Sequence, residues 1–290
     1  MRHDVLMANA KESARLARMT SFHRLSNLST WRRISLHAWK RPSDPTVYGK
    51  LQIDVSAALA YLQAKQDECG VKLTLTHLVG KAVANAIATR PEVNAVIRRG
   101  HEVYQRDSVD IFFQVAFEGG EDLSGVKVTG ADQKTLAEIA RELRERVERV
   151  RTHRDSDFTD KSALLARLPA SLRGLSLHAL EYLGYDLGMD MSKLKLPQDA
   201  FGSAMVTNVG MFGLPEAYAP LVPFSRAPIV ITVGAVEERP WVVDGAVVAR
   251  PVLTLGATLD HRLLDGYQAG QLAKRVSDML QHPSDALDSV

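Results

Sequence analysis

Apolar and polar positions recur along this chain with two different periods, and the places where the period changes divide it into elements. Thr74 to Thr89 sets Leu75, Leu78, Val79, Ala82, Val83, Ala86 and Ile87 at helical spacing with almost no charge between them. That pattern predicts a helix buried on most sides, limited by Pro91. Gln133 to His153 repeats the period through Leu136, Ile139, Ala140, Leu143, Val147 and Val150, while its other face alternates Arg and Glu as a solvated helix does. Ser56 to Glu68 predicts a helix stopped by Gly70, and Tyr267 to Leu280 a closing one. Strand patterns occupy Val47 to Asp54, Val93 to Ile97, His101 to Gln105, Asp110 to Phe117, Val126 to Thr129, Ser203 to Asn208, Ile229 to Val236, Trp241 to Val243 and Val247 to Leu259. Arg99-Gly100 and Asp244-Gly245 signal hairpin turns, and Gly119-Gly120 with Gly125 mark a loop.

Two stretches stand outside this regularity. Residues 1 to 20 carry Val5, Leu6, Ala8, Leu16 and Met19 as the apolar face of an amphipathic helix, and a Ser-, Arg- and aromatic-rich connecting arm follows, in which Pro42 and Pro45 oppose a helix. Residues 160 to 198 are leucine-rich and broken by Pro169, Gly174, Gly184 and Gly188, which predicts a helical hairpin. The expected organisation is an N-terminal helix and arm over 1–45, then one mixed α/β domain over 46–290 with an inserted segment at about 160–198.

Composition adds exclusions. The 290 residues are long enough for a sizeable core, and 46% hydrophobic with 24% charged content is globular. Thirty-six Lys and Arg against 34 Asp and Glu leave a net charge of +2, which gives no electrostatic case for a nucleic-acid or anionic-membrane partner. Cys69 is the single cysteine, so no intrachain disulfide or cysteine-based metal site is expected. With no apolar run of signal-peptide or membrane-span length, the expectation is a soluble cytoplasmic protein. Neither GxGxxG nor GxxxxGK[ST] occurs.

Candidate chemistry concentrates in Asp260-His261-Arg262-Leu263-Leu264-Asp265-Gly266, where a strand pattern gives way to a helix. A histidine there can project into a cleft, and imidazole suits proton transfer near neutral pH. The competing reading is a charged turn whose Asp265 caps the next helix. Cys69 has no nearby histidine to activate it, and His37, His77, His101, His153 and His178 show no paired metal spacing, so they are read as surface or locally bonded residues.

Three blocks then occur in order: T-N-x-G-x-x-G at Thr207 to Gly213, V-G-A-V-x-x-R-P at Val233 to Pro240, and DHRxxDG. With them the chain resembles the catalytic domain of the dihydrolipoamide acyltransferases, the core subunits of 2-oxo acid dehydrogenase complexes. The match extends more loosely through THLVGKAVANAIATRPEVNAVI and ADQKTLAEIARELRE. The resemblance implies a chloramphenicol acetyltransferase-like mixed sheet flanked by helices, assembled as a homotrimer with each active site between two subunits. It implies that His261 is the general base and that a hydroxyl in the block at Thr207-Asn208 holds the oxyanion, with Thr207 first and the Asn208 amide as substitute. Asp265, followed by Gly266, is implied as a positioning residue that pairs with an arginine of a W-x-R segment, for which Trp31-Arg32-Arg33 offers Arg33. The implied substrate is a coenzyme A thioester, with no metal.

Departures from that pattern shape the expectation. No E-T-D-K-A-like lipoylation site occurs, and the residues before Val47 are too few for a lipoyl domain, so a carrier or lipoyl protein would act in trans. The 160–198 segment is longer than the family's connection and is expected to pack on its own domain, or else to form a lid or widen an acyl pocket. The polar HPSDALDSV ending favours a trimer over a cubic core. The alternative to an enzyme is a non-catalytic scaffold or partner subunit of a 2-oxo acid dehydrogenase-like complex. Condensation-domain chemistry ranks lower, because Asp260 replaces the first histidine of HHxxxDG.

Overall fold

The computed structural model describes residues 29–38, 44–117, 122–151, 169–189 and 199–287, in two compact units, Met1–Asp44 and Pro45–Val290. Of the first unit, one helix is described, α1 (Thr30–Ala38), where the sequence suggested only an arm. Ser29 starts it by accepting the Arg32 amide at 3.2 Å, and the helix-breaking prolines come only later. The helix expected over residues 1 to 20 lies outside the described residues.

The second unit is built on a six-stranded mixed sheet in the order β1-β8-β7-β6-β4-β5. The strands are β1 (Thr46–Asp54), β4 (Ile111–Phe117), β5 (Asp122–Val128), β6 (Ala204–Asn208), β7 (Ile229–Val243) and β8 (Ala246–Asp260). β6 is parallel to β4 and β7, and the other pairings are antiparallel. β2 (Ala95–Arg98) and β3 (Glu102–Gln105) form a separate hairpin around the left-handed Arg99-Gly100 turn. The predicted mixed sheet is therefore present, with two differences in its strands. Gly125, read as loop, lies inside β5 opposite Gln114, where the Phe112 ring occupies the space a side chain would need. β7 runs unbroken through Pro240, because β6 ends at the pair Asn208–Val233 and the proline's missing N–H costs no third-strand bond.

Helices cover one face of the sheet. α2 (Ser56–Cys69) ends at left-handed Gly70, and α3 (Leu75–Ala88) begins at Thr74, whose side chain accepts the His77 amide. α4 (Leu136–Arg151) opens with a reciprocal cap: the Thr135 amide donates to the Glu138 carboxylate at 2.8 Å and the Glu138 amide to the Thr135 hydroxyl at 3.3 Å. α6 (Gly266–Gln281) and α7 (Pro283–Leu287) complete the layer. The main core joins Ile87, Leu78, Ile139, Leu264, Leu272 and Leu280 from this layer to Ile53, Ile111, Val206 and Leu253 of the strands. On the opposite face Met205 and Val230 pack with Phe112, Phe201, Ala219 and Leu221, and Thr232 donates to the Ala217 carbonyl.

Of the leucine-rich segment, α5 (Ala170–Glu181) and a wider turn over Tyr182–Asp186 are described; the second arm of the expected hairpin lies outside the described residues. Its attachment is polar. Arg226 donates to Glu181 at 2.5 Å, to Asp186 at 2.9 Å and to the Ile97 carbonyl at 2.7 Å. Buried Asp186 also accepts the Arg99 amide, and the Tyr185 hydroxyl donates to Asp199. Leu175, by contrast, is 66% exposed.

Candidate active site

The DHRLLDG turn begins where β8 ends, and its other polar side chains are committed to holding its shape. Buried Asp260 accepts the Arg262 amide at 3.0 Å and its guanidinium at 2.9 and 2.6 Å, while the Asp260 amide donates to the Pro228 carbonyl at 2.9 Å. Leu264 is buried and pins the turn to the core. Asp265 caps α6, accepting the Tyr267 and Gln268 amides at 2.8 and 3.3 Å, and Gln268 reaches back to the Asp265 amide at 3.0 Å. This full capping box gives Asp265 the structural task that the competing sequence reading allowed. Gly266 is the first residue of α6. Arg33 lies on α1 in the other unit.

His261 is left exposed. Its amide donates to the Pro45 carbonyl at 2.9 Å, continuing the β1–β8 pairing by one residue. Among the described residues its imidazole makes no hydrogen bond.

The block at Thr207 to Gly213 is fixed by a different set of contacts. Thr207 lies near the end of β6, paired with Gln114 and Thr232, and among the described residues its hydroxyl makes no hydrogen bond. Asn208 is spent on structure: its amide nitrogen donates to the Thr76 hydroxyl at 2.8 Å and its oxygen accepts the Met211 amide at 3.1 Å. The second motif block meets the first here. A Cβ on Gly210 would lie 2.5 Å from the Gly234 oxygen, and one on Gly234 would lie 2.0 Å from the Pro215 oxygen. Two glycines thus let the connection after β6 lie on the bulge of β7, tied by Val209 amide to Val233 carbonyl and Ala235 amide to Leu214 carbonyl, both 2.9 Å.

One chain does not bring His261 and Thr207 together. Thr207 pairs with Thr232, Thr232 pairs with Gly256, and His261 lies further along β8. Strand geometry then separates them by roughly 17 Å along the strand and roughly 10 Å across it.

Two other titratable groups with buried atoms were not legible as such in the sequence. His77, read as a surface or locally bonded residue, is half-buried, with Nδ1 buried and unpartnered among the described residues; burial, aided by the positive charge of Arg144, pushes its pKa down to about 4. Lys81 is buried on the same helix and donates to the Asp132 carbonyl at 2.7 Å; burial lowers its pKa. Among the described residues no group of three or more His, Cys, Asp or Glu side chains is placed to hold a metal, and no helix is long and apolar enough to cross a membrane.

The family model for 2-oxoacid dehydrogenases acyltransferase (catalytic domain) matches residues 27–163 and 189–287. The chain belongs to this family. The match passes over most of the leucine-rich segment. Among similar acyltransferases are the dihydrolipoyllysine-residue acetyltransferase component of the pyruvate dehydrogenase complex of Zymomonas mobilis, 25% identical over 90% of this chain and 50% of that protein. The dihydrolipoyllysine-residue succinyltransferase component of a mitochondrial 2-oxoglutarate dehydrogenase complex of Arabidopsis thaliana is 28% identical over 77% of this chain and 39% of its own length. The chain thus spans half or less of these two relatives. Among solved acyltransferase structures, the dihydrolipoamide acetyltransferase of Azotobacter vinelandii, investigated for the catalytic roles of a serine, a histidine and an asparagine, shares the fold with TM-score 0.62 and 22% identity, over 94% of this chain and 96% of that one. The cubic core of a pyruvate dehydrogenase multienzyme complex gives TM-score 0.61 at 22% identity over the same shares.

Proposed function

We propose that the chain transfers an acyl group between a coenzyme A thioester and an acceptor thiol or hydroxyl, with His261 as general base and Thr207 as oxyanion donor. The observation that carries this reading is the DHRLLDG turn: its carboxylates and Leu264 serve the scaffold, and the imidazole is left exposed and unbonded among the described residues. The imidazole takes the proton of the acceptor, whose sulfur or oxygen bonds to the thioester carbonyl carbon. The Thr207 hydroxyl donates to the resulting oxyanion. The carbon–sulfur bond to coenzyme A then breaks, and the departing thiolate recovers the proton from the imidazolium.

Because the two residues stand far apart in one copy, the reading requires a site shared between copies, as in a cyclic homotrimer, with the acceptor or a lipoyl carrier supplied by another chain. Asp265 serves as a positioning residue through the α6 cap, and Arg33 is proposed to contact it from a neighbouring copy. The test mixes His261→Ala chains with Thr207→Ala chains after dissociation and reassociation, and follows radiolabelled acyl transfer. Each variant alone is expected to be nearly inactive, and random mixing to restore roughly a quarter of wild-type activity. No restoration, with oligomers demonstrably mixed, would reject the shared site. A wild-type rate no faster than that of His261→Ala would reject catalysis and favour the scaffold alternative.

A further inference from the structure

The helix-covered face of the sheet encloses a second feature of chemical interest. A cavity of about 130 Å³ lies between β1, β8 and β7 on one side and α3 and α6 on the other. Val83, Ile87, Ala273, Ile231, Ala257 and Leu259 contribute to its almost wholly apolar lining. It is partly open to solvent, and left unfilled it forfeits contacts that an apolar group seated there would make. An apolar cavity of about 150 Å³ holds benzene, so this one has room for about five carbon atoms.

Its position ties it to the turn already described. Leu255, Ala257 and Leu259 alternate along β8 onto the cavity wall, and His261 is the next position in that alternation, still joined to Pro45 across β1. The His261 backbone is therefore only ~7 Å beyond that of Leu259. A thioester carbonyl held at His261 would lie one strand repeat beyond Leu259, where the pocket's lining on β8 ends.

Resting on the acyltransferase reading, we infer that this cavity receives the hydrocarbon chain of the acyl group, making the substrate a medium-length or branched acyl thioester rather than an acetyl or dicarboxylic one. A free carboxylate at the chain end would be buried among aliphatic side chains without a partner.

The experiment compares wild type with Ala257→Leu across coenzyme A thioesters from acetyl to decanoyl, with thermal melts of both. Burial contributes about fourfold per methylene. Wild-type kcat/KM is accordingly expected to peak near hexanoyl, on the order of 100-fold above acetyl. Ala257→Leu should lose about tenfold or more of that preference while retaining acetyl transfer. Ala273→Val narrows the chamber from the α6 side and should move the profile in the same direction, which guards against a folding defect in the first variant. A flat wild-type profile overturns the inference, as does an Ala257→Leu variant that melts higher with an unchanged profile, since the cavity is then a packing void. Absence of transfer from every thioester is a separate result: it removes the acyltransferase reading, and this inference with it.

Discussion

The two halves of the β7–β8 pair belong to the same two strands, yet a bulge between Val233 and Val236 divides their ladder and they live in different surroundings. From Ile229 to Val233, β7 lies between β6 and β8, and the facing Leu255 to Leu259 of β8 lies between β7 and β1. Helices cover one face there and the connection after β6 covers the other. Beyond the bulge, Glu238 to Val243 and Ala246 to Pro251 pair only with each other, leaving Val242 67% and Val247 72% exposed. Valines occur in both halves, and neighbouring strands and layers decide which of them become core. His261 follows the enclosed half, so its backbone inherits the rigidity of a strand held on both sides.

This contrast can be broken or sharpened at four points. The largest effect is expected at the end of the enclosed half, where His261→Gln should lower acyl transfer by about 1,000-fold without altering the urea midpoint, as radiolabelled assays and denaturation would show. Next, Leu255→Ala within that half should cost about 3 kcal/mol in urea unfolding, the loss expected where a buried leucine is removed and the site cannot collapse.

A third test addresses α3, which covers the enclosed half. The folded pKa of His77 lies near 4 against an ordinary 6.5, so the unfolded chain binds a proton in that interval that the folded chain refuses. The stabilisation is complete above pH 6.5 and is lost as pH falls toward 4, by up to about 3 kcal/mol. Equilibrium unfolding across this range should show the slope in wild type and its flattening in His77→Leu. The smallest effect belongs to the projecting half: Val247→Ser should change chain stability by less than about 0.5 kcal/mol in the same urea assay, and a larger loss would mean that another surface covers it.

What the sequence disclosed was mostly local. Thr74 and Gly70 mark helix ends, and Asp244-Gly245 marks a hairpin, because a cap or turn is decided by a few adjacent residues. The gap expected between Val236 and Trp241 is instead continuous strand, and Pro240 is tolerated there because no third strand lies beside it. In the site, the DHRLLDG turn was legible as a unit, including the capping role of Asp265. The Asn208–Thr76 bond, the Gly210–Gly234 approach and the Asp186–Arg226 pair were not, since each joins segments that only the fold brings together. His77 sits at an ordinary helix position; its depressed basicity comes from burial and from Arg144 on another helix.

The charge clamp on the leucine-rich segment has a consequence for anyone who would trim the chain to its family outline. Glu181 and Asp186 answer Arg226, which stands outside the segment on the host domain, and Asp186 also answers the backbone of the β2–β3 turn. Excision would therefore not recover a simpler ancestor-like domain. It would leave a half-buried guanidinium stripped of both carboxylates, a wound in the host rather than a clean scar, and the shortened protein would need a compensating change at Arg226 before it could stand in for the whole.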